Sequence, residues 1–227
     1  MQRLAGTIII GNMEKNPSPR RGGRPSQLEA SQIRDRILDI ATDLFLTHGY
    51  GATSIETIAK RAAISKRTFY HRFEDKADLF SAVVHRLIGR MRPAEVEHLF
   101  EGAVLEEILV RLAGIILHAA LSPEALALHR LMISETARFP ELAVIIDTEG
   151  SRREAIERIA SLLSHQKDIG AITVPDTTFA AEQFLQMVVS APQQRALGLG
   201  APMTPAELDA WARHTVNLFL KGCCHPT

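Results

Sequence analysis

A short run of side chains in the first third of the chain combines cations, hydroxyls and aromatic rings. Lys66, Arg67, Tyr70 and His71 fall on one side of a predicted helix. Lysine and arginine can donate hydrogen bonds to O6 and N7 of guanine, and hydroxyl groups can reach bases or phosphates. The pattern predicts a surface that contacts the major groove of double-stranded DNA. For the Lys-Arg-Thr triplet alone, the alternative is an ordinary solvated helix face.

Two short helices joined by a tight turn position these side chains. Thr53 followed by Glu56 predicts a capping box at the start of the first helix, and residues 62–64 form the turn. The hydroxyl of Ser65 is placed to cap the second helix, in which Phe69 lies on the face turned toward the core. This arrangement is the design of a DNA-reading helix-turn-helix.

Predicted helices flank this pair on both sides. Residues 31–48 keep helical spacing of apolar residues, and Gly49 ends the run as a C-terminal cap. Asp75 predicts the cap of another helix that runs to about Arg92, where Pro93 stops it. Lys76 occupies its first position, where a cation is unfavourable unless an anion approaches, and a DNA phosphate would be such an anion.

The same stretch resembles the DNA-binding signature of the TetR family of bacterial transcriptional repressors, approximately T-x-x-x-I-A-x-x-A-x-x-S-x-x-T-[LF]-Y-x-x-F-x-x-K-x-x-L. The matching positions are Ser54 or Thr53, Ile58, Ala59, Ala62, Ser65, Thr68, Phe69, Tyr70, Phe73, Lys76 and Leu79. With the outward cations, the resemblance predicts DNA contacts by Thr53, Ser54, Ser65, Lys66, Arg67, Thr68, Tyr70, His71, Arg72 and Lys76.

These contacts divide into two kinds. Lys66 and Arg67 begin the recognition helix, the end that points into the groove, and we expect them to read bases. Thr68, Tyr70 and Lys76 match backbone-contacting positions of the family. Two residues depart from the family pattern. Ala63 stands where members often have glycine, and an alanine at a turn position with a positive φ would cost about 1 kcal/mol. Arg72 replaces a tyrosine or histidine, and we expect it to contact phosphate by charge.

Charge is distributed unevenly along a chain whose formal net charge is zero. Residues 1–92 carry 16 lysines and arginines against 9 acidic residues, a net +7. Residues 93–227 carry 10 against 17, a net −7. The basic half contains the motif, so the asymmetry would orient the protein on a polyanion.

The N-terminal residues 1–30 are predicted to be a flexible basic arm. Arg20, Arg21 and Arg24 resemble the arms that some family members lay along the minor groove, and an unstructured solvated tail is the equal alternative. A short apolar run near the start lacks the cleavage site of a secretory signal. Met13 is an alternative start of translation.

Beyond Pro93 the pattern is helical throughout, with no strand pattern. Helices are predicted near residues 94–100, 104–121, 124–138, 141–167, 177–191 and 205–221. The segment ALHRLMISETARFPELA resembles the start of the regulatory core in AefR-like C-terminal domains of the TetR family. The predicted fold is all-α: a three-helix DNA-binding domain followed by a helical ligand-binding and dimerisation domain. The predicted ranges are 1–30 for the arm, 31–80 for the DNA-binding domain, 81–222 for the regulatory domain, with 81–92 as its connecting helix, and 223–227 for a tail.

The two last predicted helices have apolar residues on too many sides for one buried stripe, which implies burial against a partner as well. The family resemblance implies a homodimer, with an interface that includes Phe184, Val188, Trp211, Leu218 and Phe219. The alternative is a thick core within a monomer.

A small, apolar or weakly polar effector is the second predicted partner, bound in a cavity between helices. The candidate lining residues are His118, His129, Met132, Phe139, Gln183 and Met187. Each of these residue types is also common in ordinary cores.

The sequence carries none of the catalytic or metal-binding motifs that would indicate an enzyme. It has no H-E-x-x-H, G-x-S-x-G, P-loop or dinucleotide fingerprint, and only one E-x-x-H, at Glu95 to His98. Cys223 and Cys224 stand at the end of the chain and have no third ligand nearby. We therefore predict no enzyme activity, cofactor, metal or membrane partner, and a cytoplasmic location. The alternatives are a ligand-independent architectural DNA-binding protein, a helical adaptor without DNA binding, or a helical-bundle enzyme.

Overall fold

The computed structural model describes residues 27–91, 104–149 and 151–223, and every regular element in these ranges is an α-helix. The helices are α1 (Gln27–His48), α2 (Ile55–Arg61), α3 (Lys66–Tyr70), α4 (Lys76–Met91), α5 (Leu105–Ala120), α6 (Pro123–Glu135), α7 (Glu141–Glu149), α8 (Ser151–Asp168), α9 (Thr177–Ala196) and α10 (Pro205–Cys223). The all-α fold class is confirmed.

The predicted end of the first helix is confirmed, and its start lies earlier than predicted. α1 begins at Gln27, four residues before the predicted start. It ends at His48, where Gly49 has a φ of +88° and donates its N–H to the carbonyl of Phe45 at 3.0 Å. Glycine adopts this left-handed conformation without a steric penalty, so it closes the helix and lets the chain turn toward α2.

The stretch predicted as a helix over 141–167 is described as α7 and α8, and position 150 between them lies outside the described residues. One prediction in the second half was wrong in extent. The helix predicted over 177–191 continues through Pro192, which is buried in the core. The helix predicted near 94–100 lies outside the described residues.

The first hydrophobic core joins the helix-turn-helix to two helices of the predicted regulatory domain. α1 to α4 supply most of its side chains, including the fully buried Phe45, Phe69 and Phe80. Leu128 and Leu131 of α6 and Leu142 of α7 belong to the same core. A displacement of α6 or α7 must therefore change the packing beneath the helix-turn-helix, because close-packed interiors transmit strain.

The second core lies among α5, α8, α9 and α10. The rings of Phe184 on α9 and Phe219 on α10 meet nearly edge to face, with centroids 5.0 Å apart. Between the same two helices, Trp211 donates its indole N–H to the carbonyl of Val188 at 3.0 Å. The carbonyl of Cys223 accepts a hydrogen bond from the N–H of Thr173 at 2.9 Å, which holds the end of α10 against the loop before α9.

This packing corrects most of the predicted dimer interface. Phe184 and Val188 are fully buried and Phe219 is 7% exposed within one subunit, so these side chains fill the subunit's own core. Trp211 is partly buried and bonded to its neighbouring helix. Of the five predicted residues, Leu218 is the one that projects into solvent, with 64% of its surface exposed. The apolar excess on α9 and α10 arises because both helices also pack against α5 or α8.

Candidate nucleic-acid interface

The helix-turn-helix begins one residue later than the predicted capping box. Ser54 is the N-cap of α2, and its hydroxyl accepts the N–H of Thr57 at 3.1 Å. Thr53 is 3% exposed, and its hydroxyl donates to the carbonyl of Gly49 at 2.8 Å. The predictions that Thr53 caps α2 and contacts DNA are corrected, because its hydroxyl is used inside the protein to close the loop between α1 and α2.

The turn between α2 and α3 has the strained backbone that the sequence predicted. Ala63 has a φ of +53°, a conformation that costs alanine more than glycine. The N–H of Ala63 donates to the carbonyl of Lys60 at 3.2 Å, and that of Ile64 donates to the carbonyl of Ala59 at 3.0 Å. Ser65 then caps α3 as predicted, accepting the N–H of Thr68 at 3.0 Å.

One face of α3 and its C-terminal cap is presented to solvent. Lys66, Arg67, Tyr70 and His71 are all exposed, and we call these four residues the reading surface. Tyr70 is 54% exposed, and its ring stands nearly perpendicular to that of the buried Phe69, with centroids 5.5 Å apart. The contact with the core holds this ring while about half of the residue faces solvent.

The cationic side chains on and beside the reading surface differ in their hydrogen-bond and ion-pair partners within the protein. The ammonium of Lys66 is hydrogen-bonded to the carboxylate of Glu56, which lowers the pKa of Glu56 and raises the pKa of Lys66. The guanidinium of Arg67 makes no hydrogen bond or ion pair to any residue that the structure describes, although its backbone carbonyl accepts the N–H of His71 at 3.1 Å. Arg72 donates to the carbonyl of Thr68 at 3.0 Å. Arg67 is therefore the cation of the reading surface that can approach an anion without first giving up a protein partner.

Lys76 points inward, contrary to its predicted place at a DNA phosphate. Its ammonium donates to the carbonyls of Tyr50 at 3.0 Å and Thr53 at 3.1 Å. It also lies 4.2 Å from the centroid of the Tyr50 ring and 5.6 Å from that of Phe139. Removal from water lowers the pKa of Lys76, although the nearby Glu135 opposes this effect. The side chain that was predicted to contact DNA instead ties the start of α4 to the loop before α2.

Sequence reasoning missed the partners that surround Lys76. Tyr50 is 3% exposed, and its ring packs edge-on against Phe139 with centroids 5.1 Å apart. The N–H of Gly51 donates to a carboxylate oxygen of Glu135 at 3.3 Å. Glu135 and Phe139 fall within the stretch that resembled AefR-like domains, but no local spacing rule indicates that they contact a loop far away in sequence.

The six predicted ligand-binding residues are not gathered around one cavity. Met132 and Phe139 pack against the first core, and Met187 against the second. His118 and Gln183 are exposed, and His129 is partly buried on α6. This scatter corrects the predicted set, because residues chosen by their position along predicted helices need not face the same gap.

A groove of about 370 Å³ lies between the end of α1 and α6. It is lined by Phe45, Leu46, Thr47, His48, Gly49, Ala127, Arg130, Leu131, Ser134 and Glu135, none of which was predicted. Among the described residues, no group of three or more histidines, cysteines, aspartates or glutamates is placed to hold a metal ion. No helix within these ranges combines the length and apolar character needed to cross a bilayer.

Two family matches cover most of the chain. Residues 37–83 match the bacterial regulatory proteins of the tetR family. Residues 107–222, just over half of the chain, match the C-terminal domain of AefR-like transcriptional repressors. The chain belongs to the TetR family. It is a DNA-binding transcriptional regulator rather than an enzyme, and the resemblance identified in the sequence is confirmed.

Individual relatives agree with this assignment. The transcriptional regulator AcrR of Shigella flexneri is 32% identical over 149 residues, 63% of this chain and 67% of AcrR. A TetR-family regulator from Mesorhizobium loti has a solved structure with a TM-score of 0.72 and 29% identity, covering 86% of this chain and 98% of that one. The flavonoid-responsive regulator FrrA has a TM-score of 0.76 and 28% identity, covering 87% of this chain and all of FrrA.

Proposed function

We propose that this TetR-family regulator is a homodimeric cytoplasmic repressor that leaves a palindromic operator when a small, mainly apolar molecule binds. The observation that carries the proposal is the shared first core. Leu128, Leu131 and Leu142 of the regulatory half pack under the helices that present the reading surface. A ligand that displaces α6 or α7 alters the support of α3, which is the physical requirement for release.

The proposed DNA contacts follow from which side chains are exposed to solvent and which already have hydrogen-bond or ion-pair partners within the protein. Arg67 and Lys66 enter the major groove and donate to bases, with Lys66 exchanging Glu56 for the nucleic acid. The neighbouring polar side chains hold the sugar-phosphate backbone. They are Ser54, Ser65, Thr68, Tyr70, His71 and Arg72. Thr53 and Lys76 support this surface from inside.

The chemistry of the ligand is inferred from the regulatory half. Its helices α5, α8, α9 and α10 pack around a core of aliphatic and aromatic side chains, and a ligand site opened within that core would favour an apolar molecule with few polar groups. FrrA, a structural neighbour of this chain, responds to flavonoids according to its name. Flavonoids, which are flat aromatic molecules with a few hydroxyl groups, are therefore the first class of probe for this protein.

The test combines operator selection with ligand screening. An operator is selected from a random duplex library with the full chain, and its affinity is measured with and without flavonoids, long-chain fatty acids and planar aromatic amines. We expect at least one class to raise the melting temperature and to weaken operator binding by about 5- to 150-fold, the usual range of coupling between two sites. If no class changes either quantity, the inducer half of the proposal is rejected while DNA binding is judged separately.

A further inference from the structure

The loop between α1 and α2 approaches the corner between α6 and α7 closely at Gly49 and Gly51. A Cβ atom at Gly51 would lie 2.9 Å from a ring carbon of Phe139 and 3.2 Å from a carboxylate oxygen of Glu135. A Cβ atom at Gly49 would lie 2.5 Å from the other oxygen of the same carboxylate. Two glycines thus allow the regulatory corner to approach the backbone of the DNA-binding half.

Three independent interactions close this contact. Gly51 donates its N–H to Glu135, the rings of Tyr50 and Phe139 pack edge to face, and the ammonium of Lys76 lies over both rings. We call Tyr50, Gly51, Lys76, Glu135 and Phe139 together the joint. Lys76 is the first residue of α4 and also holds the carbonyls of Tyr50 and Thr53. The joint therefore fastens one corner of the regulatory half to the loop and helix that flank α2 and α3.

We propose that the joint is a coupling site, through which the regulatory half and the reading surface each sense the conformation of the other. This route bypasses the length of α4, because Glu135 and Phe139 contact the loop before α2 directly. Lys76 is a positioning residue in this scheme: it binds carbonyls and aromatic faces instead of phosphate. The inference rests on the DNA-binding half of the proposed function and not on the identity of the ligand.

Coupling between two sites is reciprocal, so DNA itself can serve as the probe. Hydrogen–deuterium exchange is measured on the full chain with and without the selected operator duplex. In the wild type we expect DNA to change exchange beyond the helix-turn-helix, at the α6–α7 corner and in α5 and α9. An unchanged regulatory half in the DNA-bound wild type would overturn the proposal.

Gly51→Ala is the decisive variant because the added Cβ atom would push Phe139 and Glu135 away from the loop. Gly51 does not have a positive φ, so alanine carries no backbone penalty there. We expect this variant to bind the operator within about threefold of the wild type, while the DNA-induced change in exchange no longer passes residue 91. Gly114→Ala is the matched control: a Cβ atom there meets nothing within 4 Å, and this variant should behave as the wild type.

Phe139→Leu provides a second, milder lesion that removes the ring contacts and keeps an apolar side chain. Both variants are first compared with the wild type by circular dichroism and melting temperature. A DNA-induced change that reaches α5 and α9 undiminished in both variants contradicts the proposal. Loss of operator binding in both would assign the joint to the folding of the DNA-binding half and would contradict it as well. Failure of every ligand in the screen leaves this measurement intact, so the two proposals can fail separately.

Discussion

At the scale of single residues, the cations of the DNA-binding half have different tasks despite similar sequence positions. The guanidinium of Arg67 is bonded to no described residue, the ammonium of Lys66 is paired with Glu56, and the ammonium of Lys76 is turned toward carbonyls and rings. Burial and existing partners thus determine which charge is available to DNA, since a desolvated and bonded ammonium gives up those interactions when it leaves its site.

Arg67→Ala should reduce affinity for the selected operator and spare non-specific DNA. A bidentate base contact contributes about 1–3 kcal/mol of discrimination for each half-site, whereas non-specific binding depends on total phosphate contacts. Fluorescence anisotropy on operator and scrambled duplexes across a salt series measures both. Arg213→Ala, an exposed arginine on α10, is the control and should change neither. Equal losses on the two duplexes would contradict base reading by Arg67.

Tyr50 should make the protein less stable in alkaline solution. Burial raises the pKa of Tyr50 from its ordinary value of 10 to about 12. Below pH 10 both folded and unfolded chains keep the phenol proton. Between pH 10 and 12 only the unfolded chain loses it, which favours unfolding by about 2–3 kcal/mol at the upper limit.

Denaturant unfolding across this pH range compares the wild type with Tyr50→Phe, which should lose less stability as the pH rises. The chain has one other tyrosine, Tyr70, which is 54% exposed. Tyr70→Phe should keep the alkaline loss of the wild type. If the free energy of unfolding falls equally with pH in the wild type and in Tyr50→Phe, the prediction is refuted.

At the scale of elements, the helix-turn-helix is held by local caps and by one strained turn. Ser54 and Ser65 each accept a backbone N–H three residues ahead, which satisfies donors that a helix start leaves unpaired. The turn residue Ala63 has a φ of +53°. The element therefore combines favourable caps with a penalty of about 1 kcal/mol in its centre.

Ala63→Gly should stabilise the protein, because glycine adopts a positive φ without steric conflict. The expected gain is about 0.5–1 kcal/mol, or about 2–4 °C in melting temperature for a chain of this size. Ala62→Gly is the matched control. Ala62 has a φ of −75° and is fully buried, so its replacement should lower the melting temperature. Scanning calorimetry of both variants gives the comparison, and a lower melting temperature for Ala63→Gly would oppose the strain argument.

At the scale of the whole molecule, the helices are divided between two hydrophobic cores, and the first core contains helices from both the DNA-binding and the regulatory half. The first core includes α6 and α7 with α1 to α4, and the second includes α5 and α8 to α10. Most of the apolar residues on α9 and α10 are used inside the subunit. The surface left for the proposed dimer includes exposed apolar side chains such as Leu218 and Phe179, which are 64% and 60% exposed.

Leu218→Glu should weaken the proposed dimer while each subunit stays folded. A charge placed at a helix–helix interface has no partner and opposes association. Val188→Glu is the contrasting variant: Val188 is fully buried within the subunit, so this change should cost about 3–5 kcal/mol of folding free energy. Leu199→Glu, at a residue 78% exposed, should affect neither property. Analytical ultracentrifugation and melting temperature separate the three. A monomeric wild type would refute the dimer.

The sequence by itself determined features that depend on residues a few positions apart. The exposed face of α3, the Gly49 cap, the Ser65 cap and the positive φ of Ala63 follow from helical periodicity and turn chemistry, and the structure has all of them. The family was found by resemblance to a known signature, which could be matched in the sequence because it is one continuous stretch.

Only the tertiary structure decided where side chains with two possible environments point. Lys76 points inward because Tyr50 and Phe139 come together around it. Thr53 does not cap α2 as predicted, because its hydroxyl donates to the carbonyl of Gly49. Val188 was assigned to the subunit core by helices far away in sequence. Local periodicity tells how many faces of a helix are apolar, but long-range packing determines what covers each face.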